Sequence, residues 1–294
     1  MIPDDLVKRL QYIEIYTRKA ARHHWVADYR SPLRGRGFDF DQHKPYQQGD
    51  DYREIDWNVT ARMPQPYIRR AHEEKEMNAV ILADLSRSME FATVEQSKRQ
   101  LLLEVSAILA FSAANDDMKV GLIGFTDDIE IDLPSKKGLA QVWKILEGLW
   151  EFRPASRHTD LLRPLRRLET KLQAASLLFC ISDFIVQEAA LESQSLQRLV
   201  RSHDFIPVIV DDRLEETLPR GRGYLRLRDA EGDGEMLFRI TESARGQYES
   251  LLRERKIALQ RSLYRLGLDH LFLRAGEPFL DSVIGFFFTR RRFR

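Results

Sequence analysis

At 294 residues the chain is long enough to bury a full core, either as one large domain or as one domain with an extension. Its 46 Lys and Arg residues nearly balance 45 Asp and Glu, so the net charge of +1 gives no reason to expect nucleic acid as a partner. A hydrophobic fraction of 43% excludes a disordered chain, and no uninterrupted apolar run reaches membrane-spanning length.

Residues 3–22 carry Leu6, Leu10, Ile13 and Tyr16 at helical spacing with charges between them. The opening residues, Met1-Ile2-Pro3-Asp4-Asp5, lack the cationic and apolar segments of a signal peptide, and a cytoplasmic location is expected. From Ser31 to Pro66 the chain is punctuated by Pro and Gly, yet Phe38, Phe40, Tyr46, Tyr52, Ile55 and Trp57 call for burial. This stretch reads as an ordered extension, with Gly49-Asp50-Asp51 as a turn and helix start and Trp57 as an apolar anchor. Arg36, Arg53 and Arg62 are expected to pair with Asp39, Asp50, Asp51 and Asp56 in a self-satisfied polar cluster.

Beyond Asn78 strands and helices alternate, which predicts a mostly parallel sheet covered on both faces. The strand Asn78–Asp84 is followed by a helix over 96–114, with Leu101, Val105, Ile108, Leu109 and Ser112 on one face. Next come the strand Lys119–Phe125, its hairpin partner Ile129–Leu133, and helices over 138–150 and 160–172. Ser176–Ser182 reads as a central parallel strand, apolar on both faces. Its Cys180, the only cysteine, is a small core residue and not a nucleophile. A helix over 187–202 precedes the strand Phe205–Val210, whose Pro207 points to a place near the strand's start or edge. Residues 213–240 form a hairpin that includes Glu231-Gly232-Asp233-Gly234. A helix over 242–266 is expected to bury Leu251, Ala258, Leu259 and Leu263, before the strand His270–Leu273 and a last helix, Pro278–Thr289.

The chemistry gathers at strand ends. Asp84-Leu85-Ser86-Arg87-Ser88 leaves the first strand with one carboxylate and two hydroxyls, oxygen donors of the kind that hard cations such as Mg²⁺ prefer. Arg157-His158-Thr159-Asp160 lies in a loop before a helix, and Ser182-Asp183 closes a central strand. In an open α/β sheet these three loops meet at the carboxyl edge, where ligands bind. Taken singly, Asp84, Ser86, Thr159, Asp160 and Asp183 are also natural helix-capping residues.

In this order, the five residues resemble the metal-ion-dependent adhesion site of von Willebrand factor A-type domains. The resemblance implies that Ser86, Ser88 and Thr159 bind the cation directly, and that one or both of Asp84 and Asp183 act through bound water. It also implies a sixth position open to a partner's carboxylate. Upstream, Gly35-Arg36-Gly37-Phe38-Asp39-Phe40, Pro45 through Trp57, and Thr60-Ala61-Arg62 resemble the signature of domain-of-unknown-function family 58. That family's pattern covers essentially the whole chain: residues 1–77 as the N-terminal helix and signature region, and 78–294 as a von Willebrand A-like domain with a Rossmann-like, mostly parallel sheet. Two departures stand out: Thr60 where many members carry serine, and no N-terminal transmembrane pair.

The resemblance implies a non-enzymatic adaptor that works with a MoxR-type AAA+ ATPase or its client through Mg²⁺, with Mn²⁺ as the alternative ion. A metal-dependent hydrolase and a structural subunit with a permanently filled site are the rival readings. Hydroxyl ligands donate little charge, which suits capture of a carboxylate better than activation of water. The seven histidines show no zinc-ligand spacing, and no P-loop, nucleophile-elbow or dinucleotide motif is present. Arg290-Arg291-Arg292 is the one segment suited to touching a membrane, though a solvated tail is the simpler reading.

Overall fold

The structure, a computed structural model, describes residues 2–20, 43–47, 52–69, 78–154, 156, 158–185, 187–219, 221, 223–228 and 234–293. The chain divides into two compact units, Arg34–Glu76 and the remainder. Helix α1 (Asp4–Ala20) belongs to the larger one.

In the smaller unit, β1 (His43–Pro45) pairs antiparallel with β2 (Tyr67–Arg69). Between them lies the one-turn helix α2 (Trp57–Thr60). Asp56 caps it, its Oδ1 accepting from Asn58 N at 3.0 Å and Val59 N at 3.2 Å. The main chain ties cap to strand: Asp56 N donates to Tyr67 O at 2.9 Å, and Tyr67 N donates to Thr60 Oγ1 at 3.0 Å. The expected anchor role of Trp57 is not what the structure shows, since its side chain is 70% exposed. A single turn presents no continuous face to bury, and no residue of α2 is buried. The expected turn at Gly49-Asp50-Asp51 lies outside the described residues, as do Phe38, Phe40, Arg36 and Asp39.

The larger unit is an α/β sandwich of Rossmann-like type. Its strands are β3 (Asn78–Asp84), β4 (Lys119–Phe125), β5 (Ile129–Lys136), β6 (Ser176–Ser182), β7 (Asp204–Asp211) and, near the end of the chain, β10 (Leu271–Arg274). They form one sheet in the order β10-β7-β6-β3-β4-β5, parallel throughout except for β5. Between β7 and β10 the chain makes a separate hairpin, β8 (Gly223–Arg228) with β9 (Glu235–Ile240). Pro207 sits within β7 opposite Cys180 of β6, where the strand is paired on one side. On the other side β10 joins only from Val208 onward, which leaves Pro207 without a strand neighbour there and its missing N–H tolerable.

Helices α3 (Lys98–Asn115), α4 (Leu139–Glu151), α1 and the last helix, α9 (Leu280–Phe293), contribute to the core on one face. The other face is covered by α5 (Leu162–Lys171), α6 (Glu188–Leu191), α7 (Gln194–Ser202) and the C-terminal end of α8 (Glu242–Arg265). Helix α3 was expected to bury one face, yet every residue from Leu101 to Ala113 is buried, because α1 covers the side that the sheet does not. Glu104 is thereby sealed in the layer and held by Arg9 at 2.9 Å, Gln96 at 3.0 Å and Gln100 at 3.2 Å. The predicted helix over 187–202 is two helices, since Ser193 caps the second by accepting from Leu196 N at 3.1 Å. Along α8 only Leu263 is buried, and Leu251 is 64% exposed, because only its last turns lie over the sheet.

Candidate metal centre

The chain leaves β3 to form β4 on one side and returns to form β6 on the other. Between β3 and β6 the connections diverge, opening the crevice in which α/β sheets bind ligands. Asp84 ends β3 and Ser182 ends β6, and the register that pairs Ala83 with Ile181 brings the two side by side. Ser182 Oγ donates to Asp84 Oδ2 at 2.6 Å.

Leu85 N continues the ladder by donating to Phe125 O at 2.8 Å. Ser86 N then turns back to Asp84 Oδ1 at 3.0 Å, a local side-chain turn that ends the strand. The short 3₁₀ helix Arg87–Glu90 follows, and it brings the Ser86 and Ser88 hydroxyls within 3.0 Å of each other, both buried. The loop thus aims two hydroxyl oxygens inward beside a buried carboxylate.

Asp183 follows β6. Its Oδ1 accepts from Ile185 N at 2.9 Å and its Oδ2 accepts from Lys98 Nζ at 2.8 Å. Lys98, the first residue of α3 after its cap Ser97, has no exposed surface. The same Nζ lies 2.5 Å from Glu215 Oε1. Glu215 belongs to a 3₁₀ turn, Arg213–Glu215, just beyond β7, where Asp212 and Glu215 form a capping box. Asp212 also accepts from Thr93 N at 3.1 Å, so this turn is tied to the segment that follows Ser88.

Thr159 is half-buried at the same edge of the sheet. Its neighbour Asp160 donates N–H to Thr126 O at 2.9 Å, just past the end of β4, and accepts from Leu162 N at 2.8 Å at the start of α5. Asp160 thus tethers the start of α5 through its side chain. The structure brings Asp84, Ser86 and Ser88 into one hydrogen-bonded loop, joins Asp84 to the end of β6 that carries Asp183, and sets the Thr159 segment beside β4.

Burial is the main cause that pushes the Asp84 carboxyl up to about 7, and the negative charge of Asp183 adds to it against the hydrogen bonds from Ser182 and Ser86. Burial would lower the Lys98 ammonium, but Asp183 and Glu215 outweigh it and hold the group above its ordinary value. Burial raises Glu215 in spite of Lys98. The Cys180 thiol is pushed well up by complete burial, which keeps it inert. Among the described residues no group of three or more His, Cys, Asp or Glu side chains gathers as a metal cage. The donors here are hydroxyls and two acids. They fit a hard cation by type, and a buried carboxylate facing a second one is an environment that a cation relieves.

Lys98, Asp212 and Glu215 carry no motif that marks them in the sequence, and Ser182 is marked there only as the end of a strand. A signal for Lys98 existed: a cation in the first turn of a helix opposes the helix dipole and needs local carboxylates to hold it.

The family model described as "Protein of unknown function DUF58" matches residues 42–258. Uncharacterized proteins of Mycobacterium tuberculosis and Mycobacterium bovis are each 24% identical over 267 residues, spanning 90% of this chain and 83% of theirs. Among solved structures, the conserved hypothetical protein BatB from Bacteroides thetaiotaomicron aligns with 15% identity and a TM-score of 0.46, covering 74% of this chain and 99% of that one. An aerotolerance-related membrane protein from Bacteroides fragilis, crystallised with multiple mutations to serine, aligns with 15% identity and a TM-score of 0.45, covering 74% and 98%.

Proposed function

The chain belongs to the DUF58 family of proteins of unknown function, and from that premise we propose that it is a non-enzymatic, Mg²⁺-dependent adaptor that binds other proteins through a von Willebrand A-like adhesion site. The observation that carries this reading is the buried pair of hydroxyls, Ser86 and Ser88, standing 3.0 Å apart beside Asp84 at the crevice between β3 and β6. Ser86, Ser88 and Thr159 would hold the cation, with one or both of Asp84 and Asp183 acting through water. When bound, Mg²⁺ or Mn²⁺ supplies an electrophilic point for a carboxylate from the partner. Asp84 and Asp183 hold the hydroxyl loop and the β6 end in place and supply the field that draws a cation in.

The partner in this reading is a MoxR-type AAA+ ATPase or its client, and the ATPase supplies the work that this chain, without a phosphate-binding loop, cannot. Among the described residues no helix is long and apolar enough to cross a membrane, and the adaptor is placed in the cytoplasm as part of the proposal. Affinity capture from the native cell, done with Mg²⁺ and again with chelator, tests it. A MoxR-type ATPase or a discrete client retained with Mg²⁺ and lost with chelator supports the adaptor. A partner retained equally in both removes the metal from the mechanism.

A further inference from the structure

We propose that Lys98 is a positioning residue that restrains cation binding at the candidate centre and that Glu215 relieves this restraint by competing for the same ammonium group. The inference rests on the cation site proposed above.

Its basis is a three-member bridge around a fully buried lysine. Lys98 Nζ stands 2.8 Å from Asp183 and 2.5 Å from Glu215, with no exposed surface. One positive charge is thus shared by two acids from different elements, the end of β6 and the turn beyond β7. Both oxygens of Asp183 are engaged, Oδ1 by Ile185 N and Oδ2 by Lys98. The charge that Asp183 offers to the crevice is therefore partly neutralised by Lys98.

A divalent ion held through Asp183 would repel the ammonium bonded to that same carboxylate, and in a buried setting like charges act strongly over a few ångströms. Glu215 already holds the ammonium at 2.5 Å, so Lys98 can give up Asp183 and still keep a partner. Glu215 is itself fixed, its Oε2 accepting from Asp212 N at 3.0 Å. Asp212 in turn holds Thr93, downstream of Ser88. The bridge closes a circuit from Asp183 through Lys98, Glu215, Asp212 and Thr93 back to the hydroxyl loop. Next to Glu215, Glu216 pairs with Lys256 of α8 and with Arg274 at the end of β10, so the turn lies between the centre and the outer elements.

The test is calorimetric titration with MgCl₂ of the full chain, of Lys98→Met, of Glu215→Gln and of the double variant, together with amide hydrogen exchange of residues 212–216 with and without Mg²⁺. Removing the ammonium should tighten Mg²⁺ about tenfold or more, since a unit charge near a divalent ion is removed. Glu215→Gln should weaken it, and most of that loss should vanish in the double variant. In the wild-type chain Mg²⁺ should change exchange at Leu214 and Glu215. A general loss of structure gives no such opposite signs. If Lys98→Met fails to fold, the weakening in Glu215→Gln and the wild-type exchange carry the decision. Mg²⁺ binding to wild type with unchanged exchange over 212–216, or with Lys98→Met no tighter than wild type, overturns this role and leaves the cation site standing. No Mg²⁺ binding to wild type overturns the site itself, and this inference with it.

Discussion

Asp84 carries the sharpest consequence at the scale of single residues. Unfolded, its carboxyl sheds a proton near 3.8, whereas in the fold it keeps it to about 7. Between those values the native state binds a proton that the unfolded chain has lost, so stability falls as pH rises through that window. The slope from one such group is at most about 1.4 kcal/mol per pH unit. Urea melts in chelator at pH 4.5 and 6.5 should show this fall, and Asp84→Asn should flatten it. Mg²⁺ should flatten it too, because the cation favours the ionised form. Other buried acids shift in the same direction, so the difference between Asp84→Asn and wild type is the quantity to read. An equal slope in both would contradict the assignment. Trp57 gives a second expectation at this scale. An exposed ring on a one-turn helix should be nearly neutral to remove, and Trp57→Ala should change stability by about 0.5 kcal/mol or less in a denaturant melt. A loss of several kcal/mol would show that the ring is buried after all.

At the scale of elements, legibility followed burial symmetry. Strands β3, β4 and β6 match their predicted limits residue for residue, because a central parallel strand is a short, continuous apolar run bounded by polar turns. Helix α8 was misjudged because periodicity shows which residues share a face and not how far along the helix a neighbour extends. Helix α3 was read as one-faced because nothing in its own sequence says that α1 lies across it. That layer makes a strong prediction. Leu10 is fully buried in α1, and Leu10→Ala should cost about 2–5 kcal/mol of unfolding free energy by denaturant melt. A change near zero would mean that α1 is not part of the cooperative unit. The placement of Asp84, Ser86, Ser88 and Asp183 at strand ends was legible because strand ends can be read from pattern. Lys98 and Glu215 were not, since their meeting depends on how the start of α3 and the turn after β7 approach each other in three dimensions.

At the scale of the whole molecule, the sheet order places the end of β3 between two neighbours and sets Asp84, Ser86, Ser88, Asp183 and Lys98, all buried, at one edge of the sheet. Buried charge of this kind is weakly stabilising at best, which is a reason to propose a use for it. Crystals of the full chain grown in MgCl₂ at high resolution test that account most directly. The expected result is one cation bonded to the Ser86, Ser88 and Thr159 hydroxyls at about 2.1 Å, with water between it and at least one of the aspartates. Hydroxyls that share no common point, or a cation bound elsewhere with this edge empty, would contradict it.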